Sequence, residues 1–302
     1  MGLHRAAAHR FRHRLAALVL ASACSVCAQQ AAAPAATAAG GSEAPRQALR
    51  VCQDPNNLPF SSTSGQGIEN RIAEVFGQAL GLPVSYYSFP NRMAFIRNTL
   101  RYKLPGQDYP CDIVMGVPVG FDQVSVTQPY YRSSYVLVFS PQRGLDKVQS
   151  QQDLLALPPD VLGRLRIGVY DRSPGSMWLA QHGLVDRGVP YAMMSPDPEQ
   201  YPGEIIEKDL AAGKLDVALV WGPIGGYFAQ RVKTPELRVV PMRSEPHIKL
   251  DYEIAMGVRY GERAWKQQVE ALIESRRPEI QAILREFGVP VLNDTVSAAK
   301  AP

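Results

Sequence analysis

Apolar positions along this chain fall into alternating short runs and helical stripes. Leu49-Arg50-Val51-Cys52 predicts a first strand, followed by a Pro/Asn loop, Asp54-Pro55-Asn56-Asn57 and Leu58-Pro59-Phe60. Ile68, Ile72, Val75, Phe76, Ala79 and Leu80 recur at helical spacing, and Gly81 supplies a stop. Val84 to Phe89 alternates as a strand does, Met93 to Tyr102 predicts a second helix, and Cys111 to Val117 a buried strand. The βαβαβ order implies a parallel sheet with right-handed crossovers. The segment from Cys111 to Phe139 then passes through a Pro/Gly loop into a second apolar run, as expected of a strand buried on both faces.

After Phe139 the pattern restarts. Arg166 to Tyr170 and Val217 to Trp221 predict strands, with further short strands at Tyr191 to Met194 and Leu237 to Pro241. Helices are expected around Met177 to His182 and over Ile205 to Ala212, whereas Trp221 to Gly226, rich in Gly and Pro, reads as a turn with an exposed aromatic edge. His247 to Val258 has strand character and would cross back. Two amphipathic helices close the chain, one carrying Trp265, Val269, Leu272 and Ile273, the other beginning at Pro278 with Ile280, Ile283, Leu284 and Phe287 on one face. The expected division is a first lobe over 46–138 plus 248–295 and a second over 139–247. Two strand crossings make a hinge that permits closure on a ligand.

The N-terminus changes the picture of where the protein works. Arg5, Arg10, Arg12 and Arg14 precede the apolar run Leu15 to Ala23, and Val26-Cys27-Ala28 offers small residues for cleavage, so residues 1–28 read as a secretory signal peptide. The apolar run is too short to span a bilayer. Acylation at Cys24 is the alternative, although Ala21 stands where that signal has Leu. Residues 29–45 are Ala/Gly/Ser/Pro-rich and read as a disordered leader; residues 296–302 read as a tail.

The formal charge of +4 resides in the four signal arginines, which leaves 28 basic residues against 28 acidic ones. That balance argues against nucleic acid as a partner. Two cysteines remain beyond the signal, Cys52 and Cys111. Export favours a disulfide between them, while an offset between parallel strands would argue against it.

Catalytic patterns are scarce. Beyond the signal the only histidines are His182 and His247, and there is no G-x-S-x-G elbow, HExxH or Walker loop. No metal or cofactor ligand set is evident, and packing explains both histidines. If the fold did harbour an acid or base, Asp54, Glu69 and Asp171 would be the candidates. Binding loops are expected at the carboxyl ends of the parallel strands, at Asp54 to Phe60, Val117 to Phe121, Asp171 to Ser176 and Gly222 to Gly226. The loop at Asp171 to Ser176 reads foremost as a plain helix N-cap, and Trp178 as core.

Six stretches bring in a family: LRVCQDPNNLPFS, GIENRIAEVFGQALGLPV, FIRNTL, CDIVMGVPVGFDQVSVTQPYYRSSYVLVF, DVALVWGP and FGVPVL. Together they resemble the solute-binding-like proteins associated with quinoprotein (PQQ) dehydrogenases, the MxaJ/XoxJ type, over nearly the whole mature chain. The resemblance implies an α/β fold of the two-lobed type II periplasmic binding protein class. Each lobe would be a mixed, mostly parallel sheet with flanking helices. It also implies a non-catalytic periplasmic accessory protein without a cofactor of its own. The partner would be a PQQ-dependent methanol or alcohol dehydrogenase of calcium or lanthanide type, with its cytochrome c as a further candidate.

Amino-acid-binding relatives of that fold differ at three places. Arg71 stands where they carry an acid, Gln123 where they carry a carboxylate-gripping Arg, and Asp216 to Val220 runs into Trp221-Gly222 where their second-lobe acid follows. An α-amino acid needs a cation and an anion for its two charged ends, so an amino-acid receptor is not expected. A substrate-binding subunit of an ABC-type transporter for another small solute is the alternative. The expected cleft residues are Asp54, Asn56, Asn57, Phe60, Arg71, Tyr130, Tyr131, Arg132, Arg172 and Trp221, aromatic and Arg side chains being the usual anchors of recognition.

Overall fold

The computed structural model describes residues 46–91, 94–103, 105–142, 144–193, 197 and 199–292. The signal, the leader, Cys24, Met93, Met194 and the tail lie outside the described residues. In chain order the first elements are β1 (Leu49–Gln53), β2 (Asn56–Asn57), β3 (Ser61–Ser62), α1 (Ile68–Leu80), β4 (Val84–Ser88), α2 (Phe95–Asn98), β5 (Ile113–Pro118) and β6 (Ser125–Val126). β1 is buried because it runs between β4 and β5, parallel to both. α1 lays Ile72, Ala73 and Phe76 against them, and Gly81 ends it in the left-handed region at φ 66° with its N–H on Gln78 O.

The chain continues through β7 (Tyr131–Phe139), α3 (Gln151–Leu155), α4 (Pro159–Leu162), β8 (Ile167–Tyr170), α5 (Pro174–Gln181) and β9 (Gly188–Tyr191). A π-helical segment (Ile205–Leu210) leads to β10 (Val217–Trp221), α6 (Gly222–Arg231), β11 (Arg238–Pro241), β12 (Asp251–Val258), α7 (Arg263–Ser275) and α8 (Arg277–Glu286). The strands form one sheet in the order β4-β1-β5-β12-β7-β10-β8-β9, with β6 on β12 and β11 on β7.

β7 changes partners midway. Tyr131 to Ser134 pair antiparallel with β12, whereas Tyr135 to Val138 pair with β10 and Val136 to Phe139 with β11. One strand therefore belongs to two half-sheets, and β12 returns beside it. In the second half Leu137 and Phe139 point into one apolar cluster with Trp178, and Val136 and Val138 into another with Phe228. Burial on both faces is why this strand reads as an unbroken apolar run rather than an alternating one. The first half has its own core, in which Leu49, Ile113 and Met256 meet Trp265, Ile273 and Leu284 of the last two helices.

Three sequence expectations need correction. Gly222 to Gly226 is not a turn but the first part of α6. Gly and Pro disfavour helix interiors, yet Pro223 sits in the tolerated first turn and the glycines answer close packing. A Cβ on Gly226 would lie 1.9 Å from Gly288 O, and one on Gly225 2.3 Å from Val136 Cγ2. Among the described residues, the helix expected over 93–102 is helical only at Phe95–Asn98. It is bounded by Ala94 at φ 49° and by Thr99, which leaves helical geometry at φ −126° and ψ −89°. The strand expected at 191–194 lies earlier, at Gly188–Tyr191, where Pro190 is tolerated because β9 is the edge of the sheet. The helix at 205 is present but wound wide, with Ala211 N bonded to Ile206 O.

Cys52 and Cys111 form a disulfide with Cα atoms 5.3 Å apart. Asp112 N donates to Arg50 O, which holds the start of the β5 segment level with β1 and removes the offset that would have kept the sulfurs apart. Asp112 itself is wholly buried and ringed by cations: Arg50 Nε at 2.7 Å, Arg259 Nη2 at 2.5 Å and Arg46 Nη1 at 3.2 Å.

Candidate functional site

A cavity of about 310 Å³ lies between the two halves. Asp54, Asn56, Asn57 and Asn91 form its wall on the first half. Tyr135, Tyr170, Tyr201, Trp221, Ile224 and the 192–193 and 200–202 segments form the other. Tyr170 and Trp221 are the last residues of β8 and β10, so the carboxyl ends of those strands do supply the binding wall. Asp54 begins the loop after β1. Its Oδ1 accepts from Asn56 N at 2.9 Å and its Oδ2 from Asn91 N at 2.6 Å, which fixes the carboxylate at the rim of the β2–β3 hairpin.

The aromatic wall is held from behind. Tyr135 and Trp221 rings sit 5.6 Å apart and Trp221 meets Tyr252 at 5.8 Å. Tyr170 OH donates to Pro202 O at 2.7 Å, and Tyr201 OH to Glu207 Oε2 at 2.9 Å. Burial, with the Glu207 hydrogen bond, pushes the Tyr201 hydroxyl up to about 12, and burial raises Tyr135 and Tyr170 as well. None of these phenols ionises near neutral pH, so the wall is apolar faces with neutral hydroxyls. No Lys or Arg lines the cavity among the described residues.

The structure brings together four of the ten expected cleft residues, Asp54, Asn56, Asn57 and Trp221. Phe60 is half-buried one layer away, packed with Leu58 against the Ile205–Phe228 cluster of the second half. Arg71 lies outside the cavity, paired with Glu286 Oε1 at 3.1 Å in an exposed position beside Tyr227. Tyr130 and Tyr131 are core residues of the first half, 2% and 6% exposed, their rings 4.9 Å apart. Tyr131 nonetheless reaches the site through packing, because Trp221 lies against the cluster that holds it. Arg132 bridges the two hinge strands, Nε to Asp251 Oδ2 at 3.0 Å. Arg172 is exposed at φ 55° ahead of α5, where Ser173 caps by accepting from Ser176 N. Trp178 is buried core and donates to Glu245 Oε1, and His182 bonds the same carboxylate.

Tyr135, Tyr170, Tyr201 and Asn91 escape the sequence reading. Tyr170 carried a usable signal as the final residue before an expected binding loop. Tyr135 sits in the middle of an apolar strand, and only the partner switch of β7 turns its face toward the cavity.

One further acid lies behind this wall. Glu69, on the first turn of α1, is 9% exposed, and its carboxyl has no hydrogen-bond partner among the described residues. Burial, and then the neighbouring Asp54, push it up to about 8. Gly116 makes room for it: at φ 72° it is in the glycine-favoured region, and a Cβ there would sit 2.6 Å from Glu69 Oε1. Among the described residues no group of three or more His, Cys, Asp or Glu is placed to hold a metal ion. No helix among them is long and apolar enough to cross a membrane.

No family model matches the chain. The Methylorubrum extorquens protein called MoxJ is 28% identical over 306 residues, which covers 96% of this chain and 97% of that one. Among solved structures, the periplasmic binding protein XoxJ of Methylobacterium extorquens AM1 is 34% identical with a TM-score of 0.65, covering 82% of this chain and all of that one. MxaJ of Methlophaga aminisulfidivorans MPT shares the fold at a TM-score of 0.67 and 19% identity, over 81% of this chain and all of that one. Two α/β halves joined by paired strands and facing each other across a cavity define a two-lobed periplasmic binding protein. Within that class the chain belongs to the MxaJ/XoxJ type, with which it shares a third of its residues across the full length of XoxJ.

Proposed function

We propose that this protein is a non-catalytic periplasmic accessory of a PQQ-dependent methanol or alcohol dehydrogenase, which it binds and helps to assemble or activate. The observation that carries the reading is the match to MoxJ and XoxJ over essentially their whole lengths. The cavity supports it by what it lacks. With no Arg or Lys on its described walls it has nothing to grip the carboxylate of an amino acid. Aromatic faces with Asn and Gln side chains instead suit contact with a segment of a protein partner. The PQQ and its metal would belong to the dehydrogenase, and the cytochrome c is a further candidate partner.

The test is capture of the dehydrogenase from periplasmic extract of methanol-grown cells by the purified mature chain, at low and high salt. Recovery of the dehydrogenase is expected, with lower yield at high salt if charged rim contacts steer the encounter. Failure to capture it, combined with a small solute that raises the melting temperature, would favour the transport reading.

A further inference from the structure

We propose that the cavity takes an aliphatic ammonium group, seated among Tyr135, Tyr170, Tyr201 and Trp221 and balanced by Asp54 at the wall with Glu69 behind it. The proposal deepens the reading of this cleft as the recognition surface and rests on it.

Three independent features converge on a cation. The first is the aromatic wall, whose ring faces attract an ammonium, more strongly where water is excluded. The second is Asp54. Two of its lone pairs are used by Asn56 N and Asn91 N, which orients the carboxylate and leaves the others for a ligand. The side chains of Asn57 and Gln200 also line the cavity, and their carbonyl oxygens can accept from the same ammonium.

The third is Glu69. A buried carboxyl with no counter-ion keeps its proton, and ionises only where a positive charge compensates it. The charged or titratable groups recorded as acting on it or feeling it are Asp54, Tyr130 and Tyr131, each negative or neutral. A positive charge at the cavity edge beside Asp54 is what would favour the ionised form of Glu69. An anionic ligand would meet repulsion from the Asp54 carboxylate. A cavity of about 310 Å³ accommodates a short alkyl chain behind the charged head.

The source of the group is either a free alkylamine or a lysine side chain of the protein partner, and the test separates them. Hexylammonium, hexanol and hexanoate have nearly the same shape and differ in charge. Calorimetry and melting shifts with the purified chain at pH 7 should show hexylammonium binding at least tenfold more tightly than hexanol, and hexanoate not at all. Asp54→Asn should abolish the preference for the cation over the alcohol. Binding of the cation favours ionised Glu69, so affinity should rise between pH 6 and pH 8.5, while the ammonium stays charged. Glu69→Gln should flatten that rise.

Hexanol binding as tightly as hexylammonium would overturn the proposal, and so would the absence of any binding by hexylammonium. If hexylammonium also displaces captured dehydrogenase, the natural occupant is a partner lysine; if it binds without displacing it, the occupant is a free amine. Ammonium binding without any dehydrogenase capture would sink the accessory reading and leave this one standing.

Discussion

Asp112 and Glu69 are buried carboxyl groups in the same half of the molecule, and their surroundings are opposite. Asp112 begins the β5 segment and is met by Arg46, Arg50 and Arg259. Arg259 is held in turn by Leu100 O, Cys111 O and Glu262. Arg46 stacks over Trp265 at 4.3 Å and Arg259 over Tyr109 at 4.1 Å, so the cations themselves are positioned. Glu69 has none of this. It faces Asp54 and two tyrosines behind the cavity, and burial lifts it out of the ordinary carboxylate range. The contrast separates two uses of a buried acid. One is charged and satisfied within the fold, and holds it together. The other is left unsatisfied within the chain, beside a cavity of matching need.

The largest effect should come from Asp112→Ala. Removing one partner of a buried ion cluster leaves uncompensated charge, so a loss of about 3–5 kcal/mol in urea unfolding is expected. A loss below about 1 kcal/mol would mean that the arginines are solvated and the contrast with Glu69 is false.

Glu69→Gln should act in the opposite direction and only at higher pH. With a folded value of about 8 against an ordinary 4.5, the folded state binds the extra proton across that interval. Stability is therefore full below about pH 4.5 and falls as pH rises toward 8. The Gln variant lacks this slope and should exceed the parent by about 1–3 kcal/mol at pH 8.5. Parallel pH profiles of melting temperature for the two proteins would remove Glu69 from the comparison.

Arg71→Ala should do least. Arg71 and Glu286 are 41% and 56% exposed, and such pairs contribute less than about 1 kcal/mol. Because Arg71 lies outside the cavity, hexylammonium affinity should not change. A clear change would place Arg71 in the binding machinery after all.

Much of the scaffold was legible in the chain because it is written in local periodicity. The 68–80 helix, the Gly81 stop and the two closing helices follow from apolar stripes and a glycine that can turn left-handed. The two-sided burial of β7 was readable as an apolar run. The site was half legible. Asp54, Asn56, Asn57 and Trp221 stand at strand ends, where a parallel fold presents its loops. Tyr130 and Tyr131 looked like cleft residues from their composition, but both rings pack edge-to-face inside the first core. α6 was hidden because its glycines read as turn formers, although they are required by backbone and side chains that approach from β7 and Gly288.

The sequence by itself determined the alternation of strands and helices, the pairing of family motifs and the absence of any common catalytic pattern, since each depends on neighbours a few residues apart. Only the tertiary structure decided which arginines serve Asp112, that Glu69 has none, and that Tyr135, Tyr170, Tyr201 and Trp221 share one cavity. Those outcomes depend on groups up to some 150 residues apart. Whether a charge is compensated is a property of what folding brings within a few ångströms, and local sequence carries no record of it.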